Sequence, residues 1–268
     1  MDVPKTLEEE GPLAGVRNAV AVASAKGGVG KSTVCVNLAL ALAASGARVG
    51  LLDADIYGPS IPLMMGVRQQ PQTGPDQLMR PVEKEGRALM SIGFIAGEDA
   101  PVVWRGPLLG QAVQQFLQRV HWGELDYLLI DMPPGTGDIP LTLSQSVALS
   151  GALIVTTPQG MALEDVERGI AMFQRVEVDV LGLVENMSYF LCPNCSERHR
   201  PFGSDGGRDT ALRLGVDFWG EMPLEEEVRR GGDSGRPAVL EGGEVGRRYG
   251  ELAGEMVAAL QKLAAEEG

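Results

Sequence analysis

Ten consecutive residues, Ser24 to Thr33, carry glycines at 27, 28 and 30, lysines at 26 and 31, and a Ser32-Thr33 pair at their end. Glycines let backbone amides turn inward and approach an anion without a Cβ in the way. A lysine behind them reaches β- and γ-phosphates, and the following hydroxyl can ligate Mg²⁺. The stretch Ala25, Lys26, Gly27, Gly28, Val29, Gly30, Lys31, Ser32, Thr33 therefore reads as a nucleotide phosphate loop with Lys31 as its main cation.

Three more groups can do chemistry. Asp53 and Asp55 in DADIYGPSIP are one residue apart, so on an extended chain both face the same side, where Mg²⁺ and an attacking water would sit. Acidic residues at a strand end also mark turns; a neighbouring phosphate loop favours the metal reading. Asp131 in DYLLIDMPPGTGD caps an apolar run and precedes a Pro/Gly turn, the pattern of a carboxylate holding the Mg²⁺ shell beside a turn that senses a γ-phosphate. Cys192 and Cys195 form CPNC, whose spacing lets two thiolates bind one metal or cluster. Two thiolates are half of a four-ligand site, which a second subunit would complete. His199 offers a mononuclear zinc alternative, and a thiol–disulfide pair is a third reading.

These groups need strands to deliver them. Ala19 to Ala23 reads as a buried strand before the phosphate loop, and Ser32 to Ser45 as a helix whose positive end faces the same anion. That helix is apolar on nearly every face, so it belongs between layers, and Cys35 within it reads as core. Strands are expected at Ala47 to Leu52, Ala88 to Phe94, Tyr127 to Ile130, Ala152 to Pro158, Val180 to Ser188 and Val216 to Trp219. Helices are expected at Pro107 to Val120, Met161 to Val176, Asp205 to Leu214 and Val245 to Leu263. Met64 to Glu85 reads as a long surface connection, and VRRGGDSGRP as a glycine-rich stretch able to approach the nucleotide. The sum is one doubly wound α/β domain with a mostly parallel sheet, spanning residues 18 to 268 after a mobile acidic segment at 1 to 17.

Composition narrows the function. The 268 residues are 44% hydrophobic and 22% charged, enough apolar material for a core. A formal charge of −13 repels phosphate backbones and anionic lipid, so neither nucleic acid nor membrane is an expected partner. Three cysteines and no visible leader point to a reducing cytoplasm.

The string KGGVGKS, with Ala25 where the ordinary motif has glycine, resembles the deviant Walker A motif of the P-loop NTPases (the SIMIBI type) that include MinD, ParA, nitrogenase iron protein and the iron–sulfur carrier ATPases. DADIYGPSIP, DMPPGTGD, ENMSYFLCPNC and FGSDGG look like the Mrp or ApbC-like iron–sulfur carriers in particular. The resemblance implies ATP and Mg²⁺ as ligands, slow hydrolysis, and Lys26 reaching across a homodimer to the partner's nucleotide. It implies Asp55 as the water-orienting residue, Asp53 and Asp131 in the Mg²⁺ shell, and Asn186 on the adenine edge, although an asparagine there is also an ordinary turn former. It further implies a labile [4Fe–4S] cluster bridged by Cys192 and Cys195 of two subunits, with apo iron–sulfur proteins, and scaffold proteins, as partners. The alternative is a MinD- or ParA-type positioning switch without a cluster, its CPNC a structural zinc site.

Overall fold

The computed structural model describes residues 13–96 and 117–267. Strands are β1 (Val16–Ala23), β2 (Val49–Asp53), β3 (Gln72–Thr73), β4 (Met79–Arg80), β5 (Val82–Lys84), β6 (Arg87–Ser91), β7 (Leu125–Asp131), β8 (Gly151–Thr156), β9 (Val180–Leu191), β10 (Arg198–His199) and β11 (Phe218–Pro223). Helices are α1 (Lys31–Ala44), α2 (Ile61–Met64), α3 (Gly93–Ala96), α4 (Asp138–Ser146), α5 (Gly160–Arg175), α6 (Gly206–Leu214), α7 (Glu226–Ser234) and α8 (Gly243–Glu267).

The main sheet runs β10-β9-β8-β1-β7-β2-β6-β5, with β11 also on β9. Every neighbour pair is parallel except β5 on β6 and β10 on β9. Alternation along β1 explains the layering: Val20 and Val22 join one core with α1 and α8, while Ala19, Ala21 and Ala23 join the other with Ile170 and Phe173 of α5. Burial on both faces is why these strands read as unbroken apolar runs. Helix α1 is buried continuously from Val34 to Leu42, as a helix between layers must be. Helix α8 packs on α1 through Tyr249, Leu252, Met256 and Leu260, so its apolar stripe is covered. Among the described residues no helix is long and apolar enough to cross a membrane.

Several expectations need correcting. The supposed surface connection 64–85 holds the β3–β4 hairpin and β5, which closes one edge of the sheet. Strand β1 begins at Val16 with Leu13 already buried, ahead of the boundary expected at residue 18; residues 1–12 lie outside the described residues. The expected helix over 107–120 lies outside them too, apart from its last turn. VRRGGDSG forms α7, which packs against α2. Strand β9 continues three residues past Ser188, so Asn186 is interior to a strand and not a turn former.

Candidate functional site

The parallel strands place their C-terminal ends side by side, and register aligns the chemistry: Asp53 pairs with Asp131 and with Ser91, and Val22, just before the phosphate loop, pairs with Asp131. In open α/β sheets this edge is where ligands bind.

The loop from Ser24 to Gly30 leaves β1 and enters α1. Gly28 and Gly30 have φ of 82° and 81°, left-handed values that L side chains resist. Gly30 is the N-cap of α1, no side chain caps the helix, and its first turn has no acidic residue, so the leading amides and the positive end of the dipole are available to an anion. Two bonds fold the loop over: Ser24 Oγ donates to the Lys26 carbonyl at 2.9 Å, and the Gly135 amide donates to the Ser24 carbonyl at 2.9 Å. The second ties the Pro/Gly turn after β7 to the phosphate loop.

Lys31, 6% exposed, places Nζ 2.5 Å from Asp131 Oδ1, 3.5 Å from Asp55 Oδ2 and 3.4 Å from Ser32 Oγ. Burial pushes the Asp131 carboxyl up, and Lys31 opposes that shift. Asp131 Oδ2 and Asp55 Oδ1 are buried without any hydrogen-bond partner. Orphaned carboxylate oxygens beside a hydroxyl and a phosphate loop are the donor set that Mg²⁺ takes, so the residues present fit that ion.

Asp53 is different. Its Oδ1 accepts the Asp55 amide at 3.2 Å, and its Oδ2 accepts the Ile61 amide at 3.1 Å and the Ser91 hydroxyl at 3.0 Å. Burial, with Asp131 nearby, raises its carboxyl to about 7 despite those donors. Its visible work is to fold the Asp55–Ile61 segment.

Lys26 stands apart, half-exposed and with no ion-pair partner among the described residues. Asn186 sits behind the loop: its Nδ2 donates to the Val29 carbonyl at 2.8 Å, and a Cβ on Gly30 would come within 2.2 Å of that nitrogen.

Cys192 and Cys195 occupy the tip of a hairpin, since β10 pairs antiparallel with the end of β9 through Leu191 and Phe190. The Cys192 amide donates to the Glu197 carbonyl and the Ser196 amide to the Cys192 carbonyl, at 3.0 and 2.8 Å. Cys195 is exposed and Cys192 half-buried. Amides of Asn194 and Cys195, with the Cys195 thiol, point at Cys192 and lower its thiol from the ordinary range. His199 faces Glu197 at 3.8 Å, and among the described residues no group of three or more His, Cys, Asp or Glu converges to hold a metal. Cys35 is fully buried in α1, and burial raises its thiol.

Sequence reasoning missed Glu185. It is 0% exposed, with Oε1 2.6 Å from Ser188 Oγ and Oε2 accepting the Gly207 amide at 2.5 Å. A charged residue inside an otherwise apolar strand run, VLGLVENMS, was the available signal.

A phosphate loop with a second lysine, on a doubly wound sheet with aspartates at the tips of β2 and β7, defines a P-loop ATPase of the MinD and ParA type. The family described as "ParA: NUBPL iron-transfer P-loop NTPase" matches residues 15–257. The chain belongs to that family of iron-transfer P-loop NTPases. It is 50% identical over 259 residues to the iron-sulfur cluster transfer protein NUBPL of Mus musculus, covering 95% of this chain and 81% of the mouse one. To the iron-sulfur cluster carrier protein of Escherichia coli strain K12 it is 51% identical over 237 residues, 88% of this chain and 64% of that one. A nucleotide-binding protein from Archaeoglobus fulgidus, solved in complex with ADP, superposes with a TM-score of 0.74 at 42% identity, over 83% of this chain and 88% of that one. MinD of Pyrococcus furiosus, with a TM-score of 0.66 at 21% identity over 89% and 98%, shares the fold.

Proposed function

We propose that the protein binds ATP with Mg²⁺ and, as a homodimer, carries a [4Fe–4S] cluster that it passes to apo iron–sulfur proteins in a reducing compartment such as the cytoplasm, scaffold proteins supplying the cluster. The observation that carries this reading is a pair of thiols at a hairpin tip, one of them exposed, with no third ligand near them among the described residues. Two such tips from two copies supply the four thiolates that a [4Fe–4S] cluster takes. An exposed, shared cluster can be displaced one ligand at a time by an acceptor's thiolates, which suits cargo better than a resident cofactor.

On the nucleotide side, Lys31 and the amides of Gly27 to Ser32 would hold the phosphates. Ser32, with the oxygens of Asp55 and Asp131 that lack partners, would hold Mg²⁺, which neutralises charge on the transferring phosphoryl group. Asp55 is the residue for orienting water, and Asp53 supports it from behind through the Asp55 and Ile61 amides. Asn186 braces the phosphate loop, leaving its side-chain oxygen for the base. Lys26, without an ion-pair partner among the described residues of its own subunit, would reach a partner's nucleotide. A MinD-like positioning role has in its favour only a shared fold at 21% identity, and it gives the cysteine hairpin nothing to do.

Anaerobic reconstitution tests the reading by iron, sulfide and zinc analysis and by absorbance. The wild type and Cys35→Ala should load one cluster per two chains, while Cys192→Ala and Cys195→Ala should lose the cluster and keep ATP binding. Full loading of the Cys192→Ala/Cys195→Ala double variant would refute it. Stoichiometric zinc without iron would replace the cargo by a structural metal.

A further inference from the structure

Strand β9 touches both sites. Asn186 in its interior grips the Val29 carbonyl of the phosphate loop, and Cys192 follows its last residue, Leu191. Between them Met187 takes φ of 57°, a left-handed conformation that a non-glycine residue in a strand seldom adopts. Pairing with β11 shifts register here, between Glu185 and Tyr189. The irregularity is clamped from inside: the buried Glu185 carboxylate meets Ser188 Oγ on one oxygen and the Gly207 amide of α6 on the other, and Ser188 Oγ also lies 2.8 Å from the Glu185 carbonyl. Beyond the kink the chain is stiff. The Leu224 amide donates to the Tyr189 carbonyl at 2.7 Å, the Arg198 guanidinium lies 4.1 Å over the Tyr189 ring, and Arg200 binds Glu221 through two bonds of 2.6 and 3.0 Å.

We propose that β9 carries the nucleotide signal to the cysteine hairpin, and that Glu185 is the positioning residue that holds its kink in the transmitting form. The proposal rests on the cargo reading of Cys192 and Cys195. Phosphates drawing the loop amides inward shift the Val29 carbonyl, and Asn186 follows it. A left-handed residue has a distinct second state, the ordinary extended one, so the kink is a two-state element that both sites can bias. Because Arg198 over Tyr189 ties the two arms of the hairpin, and Tyr189 and Arg200 tie it to Leu224 and Glu221, a change at Met187 re-aims the two thiols together with the end of β11. Without the Glu185 clamp the kink would absorb the pull locally.

The test labels the full chain with an aromatic disulfide thiol reagent, with and without ATP and Mg²⁺. Cys35 is fully buried, so the rate reports Cys192 and Cys195. The wild type should change labelling rate several-fold on nucleotide addition. Ser188→Ala removes one arm of the clamp, and Gly207→Ala pushes on the other, since its Cβ would stand 2.7 Å from Glu185 Oε2. Both should bind nucleotide as the wild type does and lose the change in rate. Glu185→Gln should retain it, because an amide can still accept from Gly207 and donate to Ser188 Oγ. An unresponsive wild type, or a wild-type response in whichever of Ser188→Ala and Gly207→Ala folds, overturns the coupling. The cargo reading fails separately, when reconstituted wild type holds no iron although its thiols respond to nucleotide.

Discussion

Lys31 Nζ lies 2.5 Å from Asp131 Oδ1, joining the first residue of α1 to the last residue of β7 across a site where both are buried. The same ammonium that would meet phosphate holds the carboxylate that would hold Mg²⁺. Nucleotide and metal would thus enter by rearranging one ion pair.

Lys31→Ala should therefore fail in two ways. Hydrolysis falls by about 100-fold or more, since the phosphates lose a preorganised charge. In the absence of nucleotide the fold loses about 3 kcal/mol, because Asp131 becomes a buried charge without a partner. That loss should shrink as pH falls, a protonated Asp131 needing no cation. Urea unfolding at two pH values reads it, and unchanged ATP turnover would remove Lys31 from the site.

Lys26→Ala should behave differently, because no carboxylate in its own subunit depends on it among the described residues. ATP affinity stays close to wild type while turnover drops by about 100-fold. Equal loss of binding in both lysine variants would place Lys26 in its own subunit's site.

The two left-handed glycines of the loop separate backbone strain from collision. Gly28→Ala meets nothing within 4 Å and should weaken nucleotide binding only by the conformational cost, about 1–2 kcal/mol. Gly30→Ala bears the same strain and also meets Asn186 Nδ2 at 2.2 Å, so its loss should be much larger. Combining Gly30→Ala with Asn186→Ala should recover part of it. Equal affinities for the two single variants, by titration with ADP, would contradict the bracing role of Asn186.

At the opposite edge of the sheet, Asp126 accepts the Arg48 amide at 2.8 Å and lies 3.3 Å from the Arg48 guanidinium and 3.5 Å from that of Arg17. Burial pushes its carboxyl up, but the Arg48 amide and guanidinium outweigh it and hold it below the usual range. A carboxyl depressed by folding stabilises above its unfolded pKa, and that contribution disappears as pH falls through the folded value. Asp126→Asn should cost about 1–2 kcal/mol near neutrality and nothing in strong acid. A gap in urea midpoint that stays constant with pH would refute the charge argument.

The phosphate loop, Asp55, Asp131 and the CPNC pair were legible because each lies in a short contiguous string whose chemistry follows from spacing. The parallel strands were legible too, being buried on both faces. What spacing could not show was partnership. Nothing local to Asn186 says that it will face Val29, more than a hundred and fifty positions earlier in the chain. Asp53 and Asp55 look equivalent in DADIYGPSIP, and only the arrival of Ser91 and the Ile61 amide assigns one to support and leaves the other an oxygen without a partner. Val82 to Lys84 is too short to show a period of two, and it becomes a strand because β6 offers it an edge.

That last strand also bears on edge-to-edge pairing between copies. An exposed sheet margin is a template on which another chain can add a strand, and repeated addition gives fibres. Here β5 offers only three residues, with Glu83 exposed at its centre, and on the other flank β10 offers two, while β11 breaks register with β9 twice and ends in Pro223. Both margins are poor templates, so lateral, open-ended stacking is disfavoured. The two-copy contact proposed above would then use the face where the strand tips, Lys26 and the cysteine hairpin stand, and a contact made through that face would close on itself.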